Sequence, residues 1–272
     1  MPSADDARTP SPTPLRGLAG GAIAPADMSA DLPEWNLADL YAGMDAPELE
    51  RDLGGVAAEA LAFESAWKGR LEEAARNPAS GDLGRALQHY ETIEELMGRI
   101  GSYAGLLYAG DTSDPVRAKF YGDVQQKLTD ASAHLLFFTL ELNRIDDALI
   151  DAALNADPAF GRYRPWVVDL RQDKPYQLED RVEQLFHEKS ITGRAAWNRL
   201  FDETMTALRF EVDGESLALE PTLNGLQDPD PTVRRRSAEA LARTFGDNLR
   251  TFTLITNTLA KDKEISDRWR GF

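Results

Sequence analysis

The chain has 272 residues, 42% of them hydrophobic and 28% charged, with a formal net charge of −16 and no cysteine. That length allows one large globular domain or two small ones, and the acidity argues against nucleic acid as a partner, because a phosphate backbone would be repelled. The lack of cysteine excludes a disulfide framework and thiol chemistry, which suits the cytoplasm, and no apolar run approaches the roughly 18–20 residues of a membrane span.

Residues 1–30 form a segment of their own. Pro2, Pro10, Pro12 and Pro14 precede a run of glycines, so little apolar surface offsets the entropy of ordering, and a disordered tail is expected. The stretch LAGGAIAPA has some likeness to the apolar part of a signal peptide. It carries two glycines, however, and Asp5 and Asp6 stand where basic residues belong. Met28 is an alternative initiator, since the structured pattern begins just after it.

From Asp45 the pattern is helical. Leu49, Leu53, Val56, Ala60, Phe63, Trp67 and Leu71 recur at spacings of three and four, which predicts one apolar stripe. Asn77-Pro78 and Gly81 break it. A second stripe runs from Leu83 to Leu107 and contains Gly98, Gly101 and Gly105. Each glycine costs roughly 1 kcal/mol in a helix interior, so the trio predicts close approach of a neighbouring helix.

Asp114-Pro115 reads as an N-cap followed by proline at the first helical position. The helix it opens is expected to run through Leu142, with HLLFFTLEL (His134–Leu142) as its most buried part and His134 hydrogen-bonded in the core or at its rim. Shorter helices are expected over Asp146–Asn155, Pro158–Arg171 and Leu178–Glu188, the last with Val182, Leu185 and Phe186 inward. Thr192 is placed to cap another helix, lined on one side by Trp197, Leu200, Phe201, Thr204 and Leu208.

The period then changes. LRFEVDGESLALE (Leu208–Glu220) alternates about Asp213-Gly214, the pattern of a hairpin with a type I′ turn. Phe210 and Val212 are expected to pack on one face against Leu217 and Leu219. A further capped helix starts near Pro231, with an apolar side from Val233 to Leu259. The consecutive Arg234, Arg235 and Arg236 point in three directions on it and read as a solvated face. The expected fold is all-α with one β-hairpin near residues 208–220.

Chemistry-bearing motifs are sparse. His187-Glu188 begins like the zinc-protease signature H-E-x-x-H, which needs two histidines one helical turn apart. The position of the second histidine is Ile191. The chain has three histidines (His89, His134, His187), and the closest pair is about 45 residues apart in sequence. LFHEKSITGR (Leu185–Arg194) therefore reads as a link between helices. Glu72-Glu73, Glu94-Glu95 and Asp146-Asp147 are adjacent on helices and diverge by about 100°, so none reads as an acid/base pair. GSYAG (Gly101–Gly105) is no nucleophile elbow, and no phosphate-binding loop is visible.

Several stretches, taken in order, carry a family resemblance. LPEWNLADLY (Leu32–Tyr41), KPYQLEDRVEQLFHEKSITGRAAWNRLFDETMTALRFEV (Lys174–Val212), DPTVRRRSAEALARTF (Asp230–Phe245) and RWRGF (Arg268–Phe272) resemble the N-terminal part of the oligoendopeptidase F group of thimet-oligopeptidase-like (M3) zinc peptidases. The resemblance implies a cytoplasmic zinc metalloendopeptidase cutting short peptides. Its H-E-x-x-H and third glutamate ligand would lie beyond Phe272. It further implies a helical N-terminal domain over residues 31–205, which covers the substrate cleft, and a hairpin and first helix of the catalytic region over residues 206–272. No catalytic, cofactor-binding or metal residue of this chain is assigned, and zinc is expected only in the full-length enzyme. The competing reading is a free-standing helical binding or scaffold protein.

Overall fold

A computed structural model describes residues 35–272. The tail expected over residues 1–30 lies outside the described residues, as do Leu32–Glu34. Leu37–Phe272 forms one unit, and it is all-α with a single two-stranded hairpin.

Helix α1 (Pro47–Trp67) buries Leu49, Val56, Ala60 and Phe63. The stripe that begins in it does not continue as one helix. The chain turns at Lys68–Arg70 and restarts as α2 (Leu71–Arg76). The cause is tertiary: Gly69 adopts φ +76°, and its N–H donates to both carboxylate oxygens of Glu141 at 2.8 and 3.0 Å. Only glycine enters this left-handed region without a Cβ penalty.

Helix α3 (Asp82–Gly110) crosses α1 and α2, and α4 (Pro115–Ala133) packs on α3 and α1. Asp114 caps α4 as expected, its carboxylate accepting from the Val116 N–H at 2.7 Å. The predicted continuation through Leu142 instead breaks at His134–Leu135, and α5 (Leu136–Arg144) starts afresh. Phe137, Phe138, Leu140, Leu142 and Asn143 of its nine residues are buried, so the prediction of heavy burial holds for this segment. Tyr90 stacks on Phe138 at 4.8 Å, and Phe63 meets Phe138 edge-on at 5.3 Å. Offset and edge contacts are the favoured aromatic geometries.

The glycine expectation is only partly met. A Cβ at Gly101 would touch Leu128 at 3.4 Å, and one at Gly105 would sit 4.0 Å from Tyr121, whereas one at Gly98 would meet nothing within 4 Å. The tight approach in α3 is at Gly84, where a Cβ would fall 2.7 Å from Ala159 and 2.9 Å from the Asp157 carboxylate.

Helices α6 (Asp147–Ala156), α7 (Pro158–Gly161) and α8 (Arg164–Gln172) follow. The single helix expected over Pro158–Arg171 is therefore two, interrupted at Arg162–Tyr163. Arg171 ties this region to the end of α5, donating to the carbonyls of Leu142 (2.8 Å) and Ile145 (2.7 Å). A cation at a helix C-terminus satisfies carbonyls that the helix itself leaves unpaired. A 3-10 turn over Lys174–Tyr176 leads to α9 (Asp180–Lys189) and α10 (Arg194–Ala207). Thr192 does not cap α10; Gly193 occupies that position, and no side chain supplies the cap.

Strands β1 (Phe210–Val212) and β2 (Glu215–Leu217) pair antiparallel, Phe210 opposite Leu217 and Val212 opposite Glu215. Asp213 at φ 54° and Gly214 at φ 87° make the turn predicted for them. Leu219 lies beyond the hairpin in α11 (Leu219–Asn224) rather than on a strand. Asp230 caps α12 (Pro231–Asp247) by accepting from the Thr232 N–H at 2.8 Å. The long helix expected from Pro231 breaks at Asn248, and α13 (Leu249–Arg270) completes the fold.

Two apolar clusters result. The larger is built from α1–α8, and the smaller gathers Leu208, Phe210, Ala240 and Leu241 beneath Phe245 and Phe252.

Candidate functional site

The H-E pair is resolved first by backbone geometry. His187 and Glu188 occupy the last turn of α9, and Ile191 lies past its end. Positions 187 and 191 therefore do not share a helix face, quite apart from isoleucine being no ligand. His187 Nε2 sits 2.7 Å from Ser132 Oγ on α4, and that hydroxyl also directs its proton to the Thr129 carbonyl at 3.0 Å. The pair ties α9 to α4, and among the described residues no carboxylate hydrogen-bonds the ring. A Ser–His hydrolase pair needs such an orienting acid.

The other histidines have separate partners. His134 Nδ1 meets Glu64 Oε2 at 2.6 Å at the rim of the core, as expected, and His89 Nε2 meets Glu59 Oε2 at 3.2 Å. Among the described residues, no group of three or more His, Cys, Asp or Glu could hold a metal ion. The side chains of the described residues thus do not by themselves fit a zinc site, which asks for three or four protein ligands. Asp146 and Asp147 diverge as expected. Asp146 caps α6 at 2.9 Å, while Asp147 turns to Arg171 and Lys174. Hydrogen bonds from Arg171 and Lys174 pull the Asp147 carboxyl down to about 2. The three arginines of α12 also separate: Arg234 donates to the Asp228 and Pro229 carbonyls, and Arg236 pairs with Asp213 at 2.7 Å.

Sequence reasoning missed the strongest polar contact. Glu183 of α9 is 8% exposed, and its carboxylate takes two hydrogen bonds from Arg270 at 2.6 and 2.7 Å and one from the Leu178 N–H at 2.9 Å. Burial pushes the Glu183 carboxyl up, and the Arg270 and Leu178 hydrogen bonds outweigh it, so the group lies below its ordinary value. The rotation of α9 that seats Glu183 leaves Leu185, expected inward, 54% exposed. A cavity of about 390 Å³ adjoins this pair. The buried Asn143 Oδ1 and Gln177 Oε1 on its lining have no partner among the described residues. Their amide nitrogens are committed to the carbonyls of Leu170 (3.2 Å) and Leu140 (3.0 Å), which fixes the orientation of both groups.

A wider groove of about 790 Å³ runs between α1 and α4. Leu49, Val124 and Ala131 form a buried floor, Met44 and Leu61 are exposed apolar walls, and carboxylates stand along the rim.

A third surface feature is apolar. Helix α10 buries none of its residues and α13 only Ile255. Leu200, Phe201, Leu249 and Leu254 are 40–63% exposed. Of the residues expected along one side of α10, Phe201 meets Phe252 of α13 edge-on at 5.9 Å, and Leu200 and Phe201 stay 40–42% exposed.

Fold and surfaces together define a helical domain with a late hairpin. The peptidase M3 N-terminal family model, described as oligopeptidase F, matches residues 141–210. The fold is similar to the crystal structure of oligoendopeptidase-F from Enterococcus faecium, with a TM-score of 0.70 and 19% sequence identity. That likeness covers 83% of this chain and 44% of the other, so the chain spans less than half the length of the structure it matches. No curated protein matches. The chain resembles the N-terminal part of an oligoendopeptidase F-like peptidase.

Proposed function

We infer that this chain is the N-terminal segment of a zinc-dependent oligoendopeptidase that hydrolyses short peptides. In this reading residues 31–205 cover the substrate cleft and residues 206–272 begin the catalytic region. The segment is inactive alone, the complete enzyme is cytoplasmic, and zinc is held by ligands that follow Phe272. The observation carrying the proposal is the family match over residues 141–210, which runs from α5 to the first residue of the hairpin. The shared fold supports it. The exposed apolar residues of α10 and α13 are consistent with a further domain packing there.

Reading the gene beyond the codon for Phe272 tests it. The expected finding is H-E-x-x-H on an amphipathic helix within roughly 150 residues. A stop codon at that place in several independent copies of the gene would instead favour the free-standing binder.

A further inference from the structure

We propose that the groove between α1 and α4 is a docking site for a cationic, apolar peptide segment. The inference stands on this groove alone and does not depend on the peptidase reading.

Helical periodicity builds the trough. On α1, Glu50, Gly54, Ala57 and Leu61 recur at spacings of four, three and four and share one face. On α4, Asp123, Lys127 and Asp130 do the same, with Val124 and Ala131 below them and His134 following at the C-cap. The two faces meet at a floor where Leu49 and Val124 are each 1% exposed. Gly54 and Ala57 lower the α1 wall, and a Cβ at Gly54 would meet nothing within 4 Å. At 1.5 Å rise per residue, the α1 wall from Glu50 to Leu61 is about 17 Å long. An extended peptide of about five residues matches it.

Charge selects the occupant. Asp45, Glu50, Asp123 and Asp130 line the groove against one ammonium, Lys127. Lys119 offsets Asp123 from outside at 2.5 Å, and Gln126 donates to Asp130 at 2.8 Å, which leaves that charge in place. An apolar floor under an acidic rim suits a segment alternating leucine-like and lysine-like side chains. Its apolar groups would cover the floor while its cations meet the carboxylates.

The probe is a fluorescein-labelled dodecapeptide of alternating Lys-Leu units, with a Glu-Leu peptide as its counterpart. Anisotropy measures affinity for the full chain, and NMR shifts of Val124 and Ala131 locate the site. A chain this acidic attracts cations generally, so the decisive variant is uncharged. Gly54→Leu fills the trough from a position with open space and improves helix propensity, so it folds. Expected are binding of the lysine peptide only, shifts at Val124 and Ala131, and affinity lowered roughly tenfold or more by Gly54→Leu. Asp123→Asn with Asp130→Asn should also weaken binding and flatten its salt dependence. Equal affinity of Gly54→Leu and parent, or unmoved Val124 and Ala131 signals, would overturn the proposal. Concentration-dependent shifts at these residues without peptide, abolished by Gly54→Leu, would assign the groove to a second copy of the chain and overturn it as well.

Discussion

The Glu183 carboxylate grips the Arg270 guanidinium through two hydrogen bonds, at 2.6 and 2.7 Å, across 87 residues of sequence. The pair fastens the end of α13 to α9. Arg270 also donates to the Tyr176 carbonyl at 3.3 Å, and Phe272 stacks on Tyr176 at 3.9 Å. Planar two-point pairing of this kind is among the stronger polar contacts in proteins.

Replacing Arg270 by methionine should therefore destabilise the chain by roughly 2–4 kcal/mol, because it leaves a largely buried carboxylate unpaired. The pair also carries a pH signature. The folded Glu183 value is depressed, so its contribution is present above the unfolded value of about 4.3. It is lost as pH falls through the lower folded value. Melting curves of parent and Arg270→Met from pH 7 to pH 3 should converge on the acid side. A constant gap at every pH would show that the Glu183–Arg270 charge pairing contributes nothing.

The glycines of α3 should separate in sign. Gly84→Ala drives a methyl into Ala159 and the Asp157 carboxylate, at a cost of about 1–3 kcal/mol. Gly98→Ala meets open space and should gain about 1 kcal/mol from helix propensity. Urea denaturation of the two variants reads both effects, and destabilisation by both would contradict the packing described at Gly98.

Gly214→Val should cost roughly 1–3 kcal/mol, since a β-branched residue resists positive φ. The position is otherwise open, with nothing within 4 Å of a Cβ, so any loss reports backbone strain and not a clash. Unchanged melting would rule out the turn geometry.

The 272-residue chain is expected to bind no stoichiometric zinc and to hydrolyse no peptide. Metal analysis by mass spectrometry after dialysis, beside a quenched fluorescent peptide assay, checks both. A 1:1 zinc content lost in His187→Ala would overturn the reading of the H-E pair.

Hydrogen exchange should be fastest in α10 and α13 and slowest in α1, α3 and α5. Burial of a leucine-sized side chain is worth about 1.5–3 kcal/mol, and Leu200, Phe201, Leu249 and Leu254, at 40–63% exposed, forgo a large part of it here. In a chain extended through an H-E-x-x-H region, the same helices should become protected. Equal protection in both chains, with the shorter one a clean monomer, would put the free-standing helical protein ahead.

Local chemistry was sufficient for much of this fold. Asp-Pro at 114–115 and 230–231 start helices because the carboxylate and the missing proline N–H both suit a first turn. Asp213-Gly214 makes its hairpin because both residues tolerate positive φ. The apolar spacing of α1 and α3 correctly marks Leu49, Val56, Phe63, Leu87 and Ile100 as core. Spacing shows that a stripe exists, but not where it ends or what covers it. The break at Gly69 depends on Glu141, which is 72 residues away. The rotation of α9 depends on Arg270, and the partial burial of α10 on α13, whose Phe252 meets Phe201 edge-on at 5.9 Å. The α1/α4 groove likewise appears only when Gly54 and Asp123 are brought to one surface. Contacts between distant segments set helix ends, rotations and concavities, and the tertiary structure alone decided them; local backbone preference and side-chain period set the elements, which the sequence by itself determined.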